Sequence, residues 1–283
     1  MKKMMPLLLC FVLTGGLIAT GIRAGEPKPP AEEEIDPDVL RKVRKLINGT
    51  LSEETAEREK AWTEIKNMGN LVVPGLLGIY RQKETTPAMM RSILIALGDS
   101  KDKRAGSVLA EMLTSKEAFV RRDAARAMGD SGYRAGKPAL EALAADEKED
   151  ADVRLFAAVA GAKLESEKSL EILTTLLKQA KPEIRSRAVF ALGKYGGLKQ
   201  APAIEKALED ADSSVREDAV EALRLLGKKP AWGGLVKATG DEDYKVRNAA
   251  MNALKELTNE TKENAKGWQE WWEEEKKKPE TLK

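Results

Sequence analysis

The sequence predicts an all-α fold, a right-handed α-solenoid of about seven helix pairs with capping helices at its ends. One helical pattern, for example SVREDAVEALRLLG at 214–227, recurs along the chain at a nearly fixed spacing. A period of roughly 20 to 50 residues is typical of solenoids. No useful stretch alternates apolar and polar residues with a period of two, so no sheet is expected. The composition, 33% charged and 5% aromatic, is that of a soluble helical protein.

The first 24 residues have the layout of a secretory signal peptide. Lys2 and Lys3 precede the apolar run PLLLCFVLTGGLIATGI, which ends in the small-residue site IRA. We therefore predict that 1–24 is removed by cleavage after Ala24 and that the protein is exported to the periplasm or the extracellular space. The run is about membrane length, so a retained N-terminal anchor stays open. A lipoprotein signal is disfavoured because Cys10 comes too early in the apolar run.

Cleavage would leave a nearly neutral chain without cysteine. The full sequence has 48 basic and 46 acidic residues, and the signal peptide contains three of the basic ones. No nucleic-acid partner is therefore expected, and no membrane association after cleavage. The single cysteine, Cys10, would be lost, so disulfides are not expected to stabilise the mature protein.

The mature chain is expected to begin with a linker and a capping helix. The stretch GEPKPPAEEE is rich in proline and charge, so 25–36 is predicted to be a disordered linker. A helix at 37–49 follows and is expected to cap the first repeat. Its apolar residues share one side: Val39, Leu40, Val43, Leu46 and Ile47. The solenoid is predicted to span 37–278, followed by a frayed tail at 279–283.

An arginine marks the register of the repeat in the pattern VRxxAxxAL. These arginines lie 31 to 33 residues apart: Arg121, Arg154, Arg185, Arg216 and Arg247. The same step backwards reaches Met90 and Arg58, which gives seven units. The alanines after each mark lie on one helix face and let neighbouring helices approach closely.

Each unit is expected to contain two helices. Four glycines are expected to end first helices: Gly98, Gly129, Gly193 and Gly227. Second helices are expected to begin near Pro138, Pro202 and Pro230, since proline suits a first helical turn. One apolar position of the second helix is assigned to Leu109, Leu140, Leu170, Ile204 and Trp232.

These units resemble HEAT repeats, in the short form named after phycobilisome lyases. The resemblance rests on VRxxAxxALG, on the Pro-Ala-Leu-like start of the second helix, and on the acidic turns DADSSVR and DEDYKVR. It covers roughly 50–280. The end of the chain, ALKELT followed by GWQEWW, is similar to secreted bacterial HEAT proteins. The resemblance implies a binding scaffold; only some members of the family are enzymes, and lyase activity is not implied.

The resemblance also implies a role for the register arginines. In HEAT arrays second helices line the concave surface, and the repeated arginine commonly pairs with acidic groups in the turns. It therefore implies a structural ladder formed by Arg58, Arg121, Arg154, Arg185, Arg216 and Arg247. A structural role is favoured over ligand binding because the arginine recurs in units with different surfaces. Met90 interrupts the ladder.

Little in the sequence favours catalysis or metal binding. Without histidine or a mature cysteine, Ser-His-Asp and Cys-His arrangements cannot form, and iron held by His-Glu pairs is excluded. Carboxylates alone could hold a hard cation. However, the acidic stretches DEKEDAD (146–152) and DEDY (241–244) are turns between repeats, where solvated side chains and helix N-caps are favoured. No catalytic residue, metal ligand or cofactor is predicted, although a carboxylate pair for acid-base chemistry stays open.

The most unusual stretch is KPAWGGLVK at 229–237. Gly233 and Gly234 lie inside a second helix, where each costs about 1 kcal/mol relative to alanine. They could make room for Trp232 and its neighbours in the core, in which case alanine at either position should stabilise the helix. Alternatively, they keep a notch open for a partner, so the candidate partner-binding residues are Trp232, Gly233, Gly234 and Lys237. The same choice, with a hydrophobic cap favoured over a docking patch, applies to Trp268, Trp271 and Trp272.

We therefore expect a non-catalytic exported scaffold or adaptor that binds another protein along its concave face. The sequence names neither the partner nor the oligomeric state. One rival is an envelope enzyme, or an accessory subunit of one, that uses carboxylates. Another is a polysaccharide-binding or envelope-binding module that uses exposed aromatic residues. Too few convergent polar residues disfavour the first rival, and too few aromatic residues on second helices disfavour the second.

Overall fold

The computed structural model describes residues 35–82 and 85–278, all of which belong to one structural unit. The predicted signal peptide (1–24), nearly all of the predicted linker (25–36) and the predicted tail (279–283) lie outside the described residues. Those assignments stay predictions. None of the described helices is long and apolar enough to cross a membrane.

The described residues form fifteen α-helices and four short 3-10 turns, and no strand. The helices are α1 (Pro37–Gly49), α2 (Thr55–Met68), α3 (Val72–Arg81), α4 (Pro87–Ser100), α5 (Lys103–Met112), α6 (Ala118–Ser131), α7 (Lys137–Ala145), α8 (Ala151–Lys163), α9 (Glu167–Leu176), α10 (Pro182–Tyr195), α11 (Ala201–Ala207), α12 (Ser213–Leu226), α13 (Trp232–Ala238), α14 (Tyr244–Thr258) and α15 (Ala265–Glu275).

After α1 the helices form seven pairs, as the repeat count predicts. The even-numbered helices, α2 to α14, are the first helices and each contains one register mark; the odd-numbered helices, α3 to α15, are the second helices. We call these two sets the first-helix layer and the second-helix layer. The prediction of an all-α solenoid is confirmed.

The core between the layers contains one fully buried aliphatic residue at a constant position of five second helices, α5 to α13. It lies 19 residues after the register mark, at Leu109, Leu140, Leu173, Ile204 and Leu235. The equivalence proposed for Leu170 and Trp232 was therefore wrong by one helical turn. The error arose because residues three apart share a helix face, so the apolar pattern alone does not fix the register. Leu235 takes the place of Leu140 and Ile204, and Trp232 is only half-buried.

Aspartates begin many of the helices. The side chains of Asp36, Asp102, Asp150, Asp212 and Asp243 each accept a hydrogen bond, 2.7–2.9 Å long, from the backbone N–H two residues later. Such caps satisfy backbone donors that have no partner within the helix. The acidic turns between repeats thus serve as helix N-caps.

Three of the four glycines expected to end helices lie inside them. Helices α4, α6 and α10 continue two residues beyond Gly98, Gly129 and Gly193. Only Gly227 caps its helix, with the positive φ of 63° that favours glycine. The prediction was wrong because glycine near the end of an apolar stripe has two possible roles. It can end the helix, or it can allow a neighbouring helix to approach closely.

The three internal glycines allow consecutive first helices to touch. A Cβ on Gly98 would lie 3.0 Å from Cα of Ala127, and one on Gly129 would lie 2.9 Å from Cα of Ala160. At Gly193 the corresponding approach, to Ala222, is closer still. Because the obstructing atoms are backbone atoms, no side-chain rearrangement could make room for a methyl group.

The capping helix α1 packs onto α3, the first member of the second-helix layer. Val43, Leu46 and Ile47 of α1 are buried. Gly75 of α3 leaves room for Val43, whose side-chain atoms would lie 2.6 Å from a Cβ at that glycine. The apolar side of α1 thus covers the exposed flank of the first helix pair.

Candidate functional site

Three of the ladder arginines join consecutive turns. The guanidinium of Arg185 makes a bidentate ion pair with Asp210, both contacts being 2.7 Å, and donates through Nη1 to the carbonyls of Gln179 and Ala180. Arg121 with Glu149 and Arg216 with Asp241 repeat this arrangement. Each arginine therefore binds the turn before its own helix and a carboxylate of the next turn.

These ion pairs are largely shielded from solvent. The side chains of Arg185 and Asp210 are 15% and 14% exposed. Hydrogen bonds from Arg185 hold the pKa of Asp210 below its usual value, and those from Arg121 do the same for Glu149. Charge-assisted bidentate contacts of this kind stabilise the ionised carboxylate and fix its geometry.

The other three ladder arginines make no ion pair with any described carboxylate. Arg58 and Arg247 donate to the carbonyls of their own turns, and Arg154 donates only to the carbonyl of Ala144, at 3.0 Å. In the pairs of Arg185 and Arg216 the acceptor lies 25 residues after the arginine. That position holds Gln179 after Arg154 and Trp272 after Arg247, while residue 83, after Arg58, lies outside the described range.

The predicted notch at Gly233 is filled by the last helix. A Cβ on Gly233 would lie 3.4 Å from the indole of Trp272 in α15. Trp271 stacks at an angle on Trp232, 6.0 Å between ring centroids, and meets Trp268 edge-on at 5.5 Å. Trp268 is fully buried. The tryptophans therefore dock α15 onto α13 and cover the end of the array.

Gly234 and Lys237 also do not form an open notch. Gly234 is buried, and a Cβ there would lie 2.7 Å from Leu223 and 3.0 Å from Cγ of Glu205. We therefore expect alanine at Gly234 to destabilise the protein and not to stabilise the helix, because the methyl group would overpack the core. Lys237 is exposed and forms an ion pair with Glu209 of the preceding repeat, 2.5 Å apart. The four candidate partner-binding residues thus belong to packing and to a surface ion pair.

A glycine at one position of the first helix distinguishes two kinds of contact between consecutive first helices. We call a contact closed where the helices touch at this glycine and open where a cleft lies between them. The internal glycines all lie eight residues after the register mark. The same position holds Lys66 in α2, Ala162 in α8 and Arg224 in α12. Clefts lie between α2 and α4, between α8 and α10, and between α12 and α14, beside the first helices that lack this glycine.

Two of these clefts are polar or small. Between α12 and α14, Arg224 bonds Glu221 of its own helix at 2.7 Å and Glu256 of the next at 2.8 Å, so an ion-pair network lines a cleft of about 400 Å³. The cleft between α2 and α4 is only about 80 Å³ and lies beside Trp62. Neither offers a large apolar surface.

The cleft between α8 and α10 is apolar and has a volume of about 290 Å³. We call it the phenylalanine groove; its apolar lining consists of Leu155, Phe156, Val159, Phe190, Ala191 and Tyr195, and its charged rim of Arg187, Lys194 and Asp218. Ala191 occupies the position that, in the closed contacts, lies against the glycine. By register, Ala162 takes the place of the glycine opposite it, and we infer that its methyl group keeps the two helices apart.

The described residues contain no cluster of three or more His, Cys, Asp or Glu side chains that could hold a metal ion. The family model for HEAT repeats matches residues 73–150 and 138–224, which together make up more than half of the chain. The chain belongs to the HEAT-repeat family. The HEAT repeats predicted from the sequence are thus confirmed, and the matched region contains the phenylalanine groove.

The solved structures that this chain resembles are distant in sequence. The Escherichia coli protein YibA is 18% identical, with 81% of this chain and 99% of that chain covered and a TM-score of 0.46. The CpcE–CpcF complex of phycocyanin lyase from a Nostoc species is 16% identical, with coverage of 82% and 94% and a TM-score of 0.43. Human deoxyhypusine hydroxylase is 16% identical, with coverage of 79% and 98% and a TM-score of 0.38. No curated protein matches the sequence.

The HEAT-repeat match identifies the fold and does not decide whether this chain is an enzyme. Likenesses at this level carry no argument about the activity of the present chain.

Sequence reasoning missed the phenylalanine groove, although the chain contains a signal for it. Every described phenylalanine lies in a first helix, at Phe119, Phe156 and Phe190. The glycine of AMGD and ALGK is replaced by alanine in the corresponding AGAK of α8. An aromatic residue on the outer side of a first helix, next to a missing glycine, would have indicated the groove.

Proposed function

We propose that this HEAT-repeat protein is an exported, non-catalytic scaffold that binds another protein, and that the phenylalanine groove is its binding surface. The proposal rests on one observation: an apolar cleft of about 290 Å³ opens on the first-helix layer. The other contacts of that layer are closed by glycine, lined by ion pairs or, between α2 and α4, open to only about 80 Å³. Apolar concave surfaces on a polar protein are typical of interaction sites.

The proposed face is the first-helix layer and not the expected concave, second-helix side. Ion pairs connect neighbouring repeats of the second-helix layer, such as Lys237 with Glu209 and Lys199 with Glu167. A cleft of about 340 Å³ in that layer, between α9 and α11, includes the Arg185–Asp210 pair and two lysines among its lining residues. The lining of the phenylalanine groove is the less polar of the two, so an apolar side chain placed there would bury fewer polar groups.

The absence of catalysis is supported by the chemistry around the groove. The chain has no histidine, and its only cysteine lies in the predicted signal peptide. Burial raises the pKa of Tyr80 in α3 and of Glu205 in α11. Neither residue lines the groove, so these shifted groups supply no acid or base there.

Export is supported by the basic start, the apolar run and the IRA site of the N-terminal segment. N-terminal sequencing of the protein from its native host should find a chain that begins at Gly25. A soluble cytoplasmic protein that retains Met1 would contradict export and leave the binding proposal unaffected.

The binding proposal is tested by retention of proteins from an envelope extract. The immobilised protein should retain a partner that Val159→Arg fails to retain, because a long charged side chain would fill the groove. Asn252→Arg is the matched control, since Asn252 occupies the same register position in α14 and is exposed. Retention that is equal for the parent and both variants would contradict binding in the groove.

A further inference from the structure

We infer that the groove takes an acidic segment of the partner, with a large apolar side chain inserted between Phe156 and Phe190. This inference rests on the proposed function and adds the chemistry of the partner. It is carried by the charges around the rim of the groove and by the way the aromatic rings hold them.

Cationic side chains lie over the rings of the groove. Arg187 lies over Phe156 with 4.8 Å between its guanidinium carbon and the ring centroid, and Arg122 approaches the same ring at 5.7 Å. Lys194 lies 5.8 Å from the ring of Phe190 and 5.6 Å from that of Tyr195. Cation–π contacts hold these side chains beside the groove and leave their polar atoms available for further hydrogen bonds.

Two of these cations have no carboxylate partner among the residues that the structure describes. Arg187 and Lys194 are exposed and form no ion pair there. By contrast, Lys163 at the end of α8 is neutralised by Asp130, 2.8 Å away. Arg122 shares its charge with Asp123 at 3.1 Å. A positive charge is therefore left at the mouth of an apolar groove.

The acid on the far wall does not cancel this charge. Asp218 of α12 accepts a hydrogen bond from the hydroxyl of Ser186 and makes no ion pair in the described part of the chain. The rim thus carries two unneutralised cations on α10 and one carboxylate on α12. An acidic segment that crosses α8 and α10 would meet the cations and place its apolar side chain between the two rings.

The test is a fluorescence anisotropy titration with three labelled peptides of equal length. The first has a central Phe-Leu pair flanked by Glu and Asp; in the second, Lys replaces the acids; in the third, Ala-Ala replaces Phe-Leu. We expect saturable binding of the first peptide only, weakening as salt is added because the rim charges are exposed. Arg187→Glu should weaken that binding at least about tenfold, equivalent to about 1.4 kcal/mol.

Arg91→Glu is the matched control. Arg91 lies 5.5 Å from the ring of Phe119, in the same kind of contact as Arg187 with Phe156, but in α4, which the glycine contact closes against α6. Unlike Arg187, it also pairs with Asp123, 3.7 Å away, so circular dichroism of the variant is compared with the parent before the titration. Its replacement should leave peptide binding unchanged. An equal loss in both variants would overturn the inference, because the cations would then act only through overall charge.

Three other outcomes also overturn it. These are equal binding of the lysine peptide, equal binding of the Ala-Ala peptide, and Arg187-dependent binding of vesicles containing phosphatidylglycerol in place of the acidic peptide. If no peptide binds while Val159→Arg still abolishes retention of an envelope protein, the chemistry of the partner is wrong and the proposed function stands. If Val159→Arg has no effect on retention, the proposed function fails as well.

Discussion

The contact between α10 and α12 differs from the contact between α8 and α10 in two ways. The first contact contains Gly193 against Ala222 and the Arg185–Asp210 pair. In the second, Ala162 replaces the glycine and Gln179 replaces the aspartate, so Arg154 has no carboxylate partner among the described residues. This contact, with neither connection, lies beside the apolar groove. The contact between α2 and α4 also lacks both among the described residues, but its cleft is only about 80 Å³. We infer that the glycine closes the contact between consecutive first helices and that the arginine pair connects the turns.

The contact between α12 and α14 separates the two devices. It retains the Arg216–Asp241 pair but has Arg224 in place of the glycine, and it too contains a cleft. The glycine therefore controls how closely the first helices approach, while the arginine pair connects the turns. The phenylalanine groove is open because the glycine is missing, and it is apolar because Phe156 and Phe190 line it.

Gly193→Ala should cause the largest effect, because it places a methyl group against the backbone of Ala222 in the closed contact. We expect a loss of about 3 kcal/mol in the free energy of unfolding, the upper end for overpacking a core. Urea denaturation of the parent and the variant measures it. Ala160→Gly is a control that loses a methyl group at a neighbouring contact without any clash, so a larger loss there would contradict this explanation.

Arg185→Ala should destabilise the protein by about 2 kcal/mol, since it removes charge-assisted bonds and leaves the shielded Asp210 without its partner. Arg154→Ala, at the open contact, should cost about 1 kcal/mol at most, because only one hydrogen bond to a carbonyl is lost. The pair of urea midpoints tests the difference. Equal losses would show that the ion pair with Asp210 contributes no stability beyond the hydrogen bonds that Arg185 donates to the carbonyls of its own turn.

The repeat architecture could be predicted from the sequence. Which contacts between repeats contain an ion pair, and which leave a cleft, could not. The register marks from Arg58 to Arg247 all lie in first helices, because a repeated pattern reports a repeated environment. The pairing of Arg185 and the non-pairing of Arg154 depend on single residues in the following turn, outside the helical pattern. We infer that the groove depends on one methyl group, at Ala162, and such an effect arises only when two helices pack.

Lowering the pH should weaken the contact between α10 and α12, because it protonates Asp210. Its pKa is lowered by Arg185, so its contribution to stability is present above the ordinary carboxyl pKa and is lost as the pH falls through the lowered value. The stability difference between the parent and Asp210→Asn should be largest near neutral pH and shrink below about pH 4. Urea midpoints across this range measure it. A difference that stays constant with pH would exclude the ion pair as its cause.

Gln179→Asp should have the smallest effect on stability, adding to the open contact the carboxylate that it lacks. Residue 179 lies at the acceptor position for Arg154, and its side chain is partly exposed. We therefore expect a gain of about 0.5 kcal/mol, typical of a partly solvated ion pair. The gain should vanish in the Arg154→Ala background, which a double-mutant cycle in urea would reveal. A gain that persists without Arg154 would mean that the aspartate acts by capping the turn.

Thiol accessibility at the floor of the groove tests the central claim most directly. A Val159→Cys variant, in a background where Cys10→Ser removes the only native cysteine, is labelled with a bulky maleimide with and without Ala162→Gly. We predict that Ala162→Gly lets α8 and α10 close, as at Gly129 and Gly193, and slows labelling, whereas a cysteine at Asn252 keeps its rate. Unchanged labelling at residue 159 would contradict the claim that the missing glycine holds the groove open.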